Sequence, residues 1–315
     1  KTTKDMLLAA PMPIYMGYAS NTYTNIGEAN NRGIEMNLEW RDKTESGFEY
    51  NVGVNMSTIR NRMTKLNGGT PISDGPFRNG SMYLTYTNEG MPIGAFWGYK
   101  TDGLIQTQEQ LNAVKRADFQ PNAELGDVLF VDTNGDGKLD SSDRCMIGNP
   151  IPDIIYGINM GMAWKGFDLN LQFGGTIGNQ IFNAMRYYTY FPNDITNKDR
   201  ALMNYWTPNN TNTDIPRLTA TDVNDNDRFS DMYVENGTYF RLRNAQLGYT
   251  LPASLTQRIK LQKVRFYVSG QNLFTISSYS GMDPEVGQSS SLSRGIDYGI
   301  YPQNISFTGG INVTF

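Results

Sequence analysis

The sequence has no histidine and a single cysteine, Cys145, in 315 residues. Without histidine the usual general base, zinc ligand and neutral-pH switch are missing, and a Ser-His-Asp triad cannot be assembled. No enzymatic activity is expected of this chain. One thiol cannot build an internal disulfide framework, and Cys145 is expected to pack as a small apolar residue. Positive charge is not in excess either: Lys and Arg number 27 against 31 Asp and Glu, a net charge of −4. Nucleic-acid binding therefore has no electrostatic support. Mean hydropathy is −0.48, and no apolar run approaches the roughly 18 residues of a transmembrane helix. That absence leaves membrane-crossing strands open, because a barrel shows lipid only every second residue. The first residues, Lys1-Thr2-Thr3-Lys4-Asp5-Met6-Leu7-Leu8, lack the apolar stretch of a signal peptide. They read as the tail of a strand, and the chain as a fragment of a longer protein.

What is abundant is glycine (32), tyrosine (19) and phenylalanine (15), and strict alternation. Ile34, Met36, Leu38 and Trp40 alternate with Glu35, Asn37, Glu39 and Arg41. Phe48, Tyr50, Val52, Val54 and Met56 alternate with Glu49, Asn51, Gly53 and Asn55. Tyr156, Ile158, Met160, Met162 and Trp164 alternate with Gly157, Asn159, Gly161 and Ala163, and Phe167, Leu169, Leu171 and Phe173 with Asp168, Asn170 and Gln172. The final segment, Ile305 to Phe315, alternates to the last residue. Such strands fit a tilted crossing of a hydrocarbon layer about 25–30 Å thick. None of the apolar-phase positions is charged, as a lipid face requires, since Arg or Lys at mid-bilayer costs about 2–4 kcal/mol. Two further strands are expected, Phe240 to Leu251 with a bulge near Asn244, and one through Val264, Phe266 and Val268. With residues 1–8 this makes about eight strands.

The connections alternate in length. Arg41 to Phe48, Trp164-Lys165-Gly166-Phe167 and Pro252 to Lys263 are short, while 9–32, 57–153, 174–239 and 274–304 are long. Trp40, Phe48, Trp164, Phe167 and Phe315 fall at the short-turn end, where a periplasmic aromatic belt belongs. The pattern predicts an all-β, antiparallel transmembrane β-barrel with long extracellular loops, and 1–315 as part of its wall. A soluble β-sandwich also alternates, but it does not explain the loop asymmetry, the one-ended aromatics and the terminal Phe315. Phe315 is expected to act as a barrel-assembly signal.

Within the excursion 57–153 lies Asp132-Thr133-Asn134-Gly135-Asp136-Gly137-Lys138-Leu139-Asp140-Ser141-Ser142-Asp143. It matches the twelve-residue spacing of a calcium loop. Asp132, Asn134 and Asp136 would supply side-chain oxygens, Lys138 its backbone carbonyl, Asp140 a direct or water-mediated ligand, and Asp143 the closing carboxylate. Gly137 permits the sharp turn. Asp143 replaces the usual bidentate Glu, so Mg²⁺, an empty loop or a metal-free Asx-rich turn stay open beside structural Ca²⁺. No flanking helix pair of the sensor type is visible.

Several blocks, in order, resemble the C-terminal third of SusC/RagA-type TonB-dependent transporters of Bacteroidetes outer membranes. They are Asn25-Ile26-Gly27-Glu28 with Asn31-Arg32-Gly33-Ile34-Glu35, and Gly90-Met91-Pro92-Ile93-Gly94-Ala95-Phe96-Trp97-Gly98-Tyr99-Lys100-Thr101-Asp102-Gly103. The calcium-type loop, Ile147-Gly148-Asn149-Pro150 and Lys165-Gly166-Phe167-Asp168 follow. Then come Gly237-Thr238-Tyr239-Phe240-Arg241-Leu242-Arg243-Asn244, Leu247-Gly248-Tyr249-Thr250-Leu251-Pro252, Ser269-Gly270-Gln271-Asn272-Leu273-Phe274 and Asp283-Pro284-Glu285. The resemblance implies a barrel of about 22 strands, with the plug domain and TonB box outside this chain. It implies a multi-pass protein of the cell outer membrane that takes up oligosaccharides or peptides with a SusD-like surface lipoprotein and TonB. A non-transporting scaffold or adhesin on the same barrel is the alternative. Glu35, Glu39, Arg41, Asn51, Asn159, Asp168 and Asn170 are then expected to face a wet lumen; no substrate-binding residue is assigned.

Overall fold

The structure, a computed structural model, describes residues 1–10, 22–66, 71–78, 80–191, 197–287 and 290–315. The chain opens with β1 (Thr2–Ala10), β2 (Thr22–Arg32), β3 (Glu35–Lys43), β4 (Glu49–Thr58) and β5 (Arg60–Leu66). A first excursion holds β6 (Ile72–Phe77), β7 (Met82–Thr87), β8 (Ala95–Gly98), β9 (Thr101–Leu104), α1 (Gln108–Arg116), β10 (Val128–Phe130) and β11 (Cys145–Gly148). The hairpin β12 (Ile154–Trp164) and β13 (Phe167–Ile177) returns to the wall. A second excursion holds β14 (Gln180–Asn183), α2 (Ala184–Tyr190) and β15 (Val234–Asn236). Then follow β16 (Tyr239–Thr250), a short α3 (Ala253–Thr256), β17 (Lys263–Ser277), β18 (Ile296–Asp297) and β19 (Ser306–Thr314).

Seven of these strands form one antiparallel sheet in the order β3-β4-β12-β13-β16-β17-β19. This is an open arc of barrel wall, too few strands to close around a lumen. Its apolar-phase residues share one face, and that face is bare: Trp40 is 65% exposed and Phe307 79%. Apolar surface left uncovered over a whole sheet face is what lipid contact requires. No helix among the described residues is long and apolar enough to cross a membrane, so any crossing is made by strands.

Local sequence explains the turns. Lys165 and Gly166 both have positive φ, 48° and 91°, the two-residue turn whose twist matches its strands. The expected bulge is present: register slips between Leu242 and Asn244 against β17, and between Gln172 and Phe173 against β13. Arg243 is thereby left as the extra residue against β13, while against β17 it faces two residues, Asn272 and Leu273.

The long segments differ from their expected form. Residues 22–32 and 60–66 are strands, and they extend the β3–β4 ladder without a change of register: Lys43 pairs with Glu49, Glu35 with Ser57, Arg32 with Arg60 and Ala29 with Met63. These arms escape a lipid-phase search because their outward positions are polar, while Ala29 and Met63 turn inward to a small core with Leu66, Ile72 and Ile93. The two excursions also pack together as one cap. Phe77, Phe96, Phe182, Tyr187, Phe229, Tyr233 and Ile296 share a core drawn from both and from the last long segment. Cys145 packs against it, as expected, and burial raises its thiol pKa.

Candidate functional site

The face opposite the apolar one is polar and lined by small residues. Asn51 pairs with Gly161, Asn55 with Gly157 and Gly53 with Asn159 across β4 and β12. Asn159 pairs with Gln172 and Gly161 with Asn170, and Asn170 with Gln246 in turn. The expected residues Glu35, Glu39, Arg41, Asn51, Asn159, Asp168 and Asn170 all lie on this face by register. Glycines here serve a steric purpose. A Cβ at Gly161 would collide with the Asn51 side chain, and one at Gly248 with the Arg265 guanidinium. Because Gly248 has none, Arg265 reaches across β16 to Asp168, with Nε donating to Oδ1 at 2.9 Å and Nη2 to Oδ2 at 2.5 Å. Arg265 Nη2 also donates to Gln246 at 3.1 Å.

At the cap end of this face sits an ionic cluster that the sequence reading did not single out. Arg241 is 2% exposed. Its Nη2 donates to Asp283 Oδ1 at 2.6 Å, its Nη1 to Glu285 Oε2 at 2.9 Å and its Nε to Thr275 Oγ1 at 2.8 Å. Arg243, the bulge residue, donates to Glu285 Oε1 at 3.0 Å and to the Tyr239 hydroxyl at 3.1 Å. Asp283-Pro284-Glu285 is thus a carboxylate clamp that fixes the last long segment to β16. The signal available in sequence was two arginines, Arg241 and Arg243, at the bulge, but nothing local pairs them with residues about 40 positions on.

The calcium-type loop lies in the first excursion, between β10 and β11. Gly135 and Gly137 have positive φ, 76° and 77°. Asp132 accepts from the Gly135 amide at 2.6 Å and the Gly137 amide at 2.8 Å, and the Gly137 bond foremost holds its carboxyl below the usual range. Asn134 accepts from the Asp136 amide and Asp136 from the Lys138 amide, both at 2.8 Å. Asp140 accepts from the Ser142 amide at 2.7 Å, which lowers its pKa as well. Asp143 is buried and accepts from the amides of Thr133 and Asp140, each at 3.0 Å. The residues are therefore brought into one compact turn. Among the described residues, however, no three acidic, His or Cys side chains are gathered as a metal-holding group. The donors are hard oxygens, the chemistry calcium selects. The loop closes in a short 3₁₀ turn, Ser141–Asp143, and the chain runs on into β11.

Phe315 stands at the short-turn end beside the β16–β17 connection, 84% exposed, just after Thr314, whose carbonyl accepts from the Gln262 amide.

Residues 1–128 match the family described as TonB dependent receptor-like, beta-barrel. TonB-dependent receptor P3 of Formosa agariphila is 37% identical over 325 residues, covering 99% of this chain and 31% of that protein. TonB-dependent receptor SusC of Bacteroides thetaiotaomicron is 26% identical over 316 residues, covering all of this chain and 29% of SusC. Among solved structures, the RagAB peptide transporter superposes with a TM-score of 0.78 at 26% identity, over all of this chain and 32% of the matched one. The chain spans about a third of the length of the curated relatives it matches.

Proposed function

We propose a function from the premise that this chain belongs to the TonB-dependent receptors and carries part of their β-barrel: it forms the wall of an outer-membrane importer. The two-faced seven-stranded sheet carries this reading. One face is bare and apolar for lipid, the other polar and glycine-lined for a wet lumen. The relatives are named as receptors and transporters rather than as enzymes, in keeping with a chain that has no histidine.

In this reading the short turns face the periplasm and the cap faces the exterior. A SusD-like surface lipoprotein closes the cap end, and TonB acts from the periplasmic side through parts outside this chain. The cargo is oligosaccharide or peptide; the solved relatives include a peptide importer in "closed-closed" and "open-open" states, which supports an importer that opens and closes here too. The experiment is purification of the intact receptor from its own outer membrane. Co-elution of a surface lipoprotein, and uptake that stops when TonB is deleted, are expected. A receptor that purifies alone and whose loss changes no uptake would instead support the scaffold or adhesin reading.

We also propose that the loop Asp132–Asp143 binds Ca²⁺ as a structural clip, held by Asp132, Asn134, Asp136, the Lys138 carbonyl, Asp140 and Asp143. The positive-φ glycines and the all-oxygen donor set support it. Sites of the extracellular class bind at about 0.1–1 mM. Calorimetry on the chelator-treated receptor is expected to show binding in that range, abolished by Asp132→Ala with Asp136→Ala. No heat up to about ten times that range would leave a metal-free turn.

A further inference from the structure

The β2–β5 arms place three arginines together. Arg32 and Arg60 are directly opposed across the ladder, and Asn30 opposes Arg62 two pairs further on. Register is unbroken from these pairs to Trp40–Val52 in the wall. The pairing count is the same on both sides of the unpaired step at Gly33-Ile34 and Ile59, and Ala29 and Met63 of the opposite phase are buried, so by register Arg32, Arg60 and Arg62 fall on the side of Ile34, Met36, Leu38, Val54 and Met56. That face is the lipid face. Arg60 lies about twelve residues beyond Phe48, about 40 Å of strand and about 30 Å of height at barrel tilt, which is the thickness of the hydrocarbon layer. The arginines therefore begin where the apolar band stops.

All three are exposed and line one depression with Asn30, Thr64 and Asp153. Among the described residues none of them has a carboxylate within ion-pair distance. Arg32 Nε donates to Asn30 Oδ1 at 3.1 Å, and the Asp153 carboxylate lies over Gly178. Like charges directly opposed on a ladder repel, and no described ion pair offsets this one. A doubly charged phosphate would: guanidinium forks match its oxygens, and the acyl chains of its lipid would run down the apolar face below.

We infer that Arg32, Arg60 and Arg62 bind the phosphate of an anionic lipid headgroup in the leaflet around the cap end of the wall. The inference rests on the membrane reading above, and its test separates the two. The intact receptor in detergent is titrated with dipalmitoyl phosphatidic acid and, separately, dipalmitoyl phosphatidylcholine, and retained lipid is read by native mass spectrometry. Arg32→Gln, Arg60→Gln and Arg62→Gln are each expected to weaken phosphatidic acid retention about fivefold, the three together about a hundredfold, with phosphatidylcholine unchanged. The triple Arg→Lys variant is expected to keep most of the retention. Equal retention by wild type and the triple Gln variant would overturn the site, as would equal loss in the triple Lys variant. Full displacement by millimolar inorganic phosphate would assign it to free anions instead. Independently, Thr64→Cys in a Cys145→Ser background is expected to react with a membrane-impermeant maleimide on intact cells. Failure to label with lipid retention intact would overturn the orientation alone.

Discussion

Removing one member of a buried ion pair strands the other, and Arg241 with Asp283 is such a pair, 2% and 5% exposed. Arg241→Met is expected to destabilise the attachment of residues 278–304 by about 3–5 kcal/mol, read as protease cleavage in that segment of the otherwise folded receptor. Asp283→Asn is expected to cost less, since an amide oxygen in place of Oδ1 still accepts from Arg241 and from the Glu285 amide, and only the Gln303 amide, which donates to Oδ2, loses its acceptor. The Arg265–Asp168 pair depends on an absent side chain. Gly248→Val is expected to break it by filling the space the guanidinium crosses, and a structure of the variant would show Arg265 turned away from Asp168. At this scale the sequence was legible only where chemistry repeats locally. The twelve-residue loop was found because its oxygens are regularly spaced. The Arg241 cluster was missed because its partners meet only after β17 has turned back on β16.

Among the elements, the loop Asp132–Asp143 has a pH dependence of defined sign. Asp132 and Asp140 are both held below the ordinary carboxylate value of 3.8. Their contribution to loop order is complete above that value and is lost as pH falls below it toward the folded-state pKa. Amide exchange at 133–143, corrected for intrinsic rate, is expected to be slow and unchanged from pH 7 to 5 and to accelerate only below about 4. The wall strands were legible because lipid on one side and water on the other force a period of two on the sequence. The arms β2 and β5 follow the same period, but their outward residues meet water and headgroups, so no apolar stripe marks them. The cap strands are at most six residues long, too short to mark themselves by a period of two.

For the whole molecule, the two faces should respond oppositely to the same substitution. Val54→Arg on the apolar face is expected to lower folding stability in bilayers by about 2–4 kcal/mol. Asn159→Arg, on the polar face, is expected to stay within about 0.5 kcal/mol of wild type. Denaturant titration of the receptor in lipid vesicles measures both, and similar losses at the two sites would contradict the two-faced wall.

The register shared by the β3–β4 ladder and the β2–β5 pairs from Arg32–Arg60 to Ala29–Met63 bears on biogenesis. A slip of one residue would turn every side chain of the hairpin over, sending Arg62 toward the small core and Met63 out of it. A misaligned hairpin could still be threaded into the bilayer, yet it could not finish folding above it. Burial of Ala29 and Met63 thus requires the same count of residues that keeps the apolar phase of β3 and β4 on its own face.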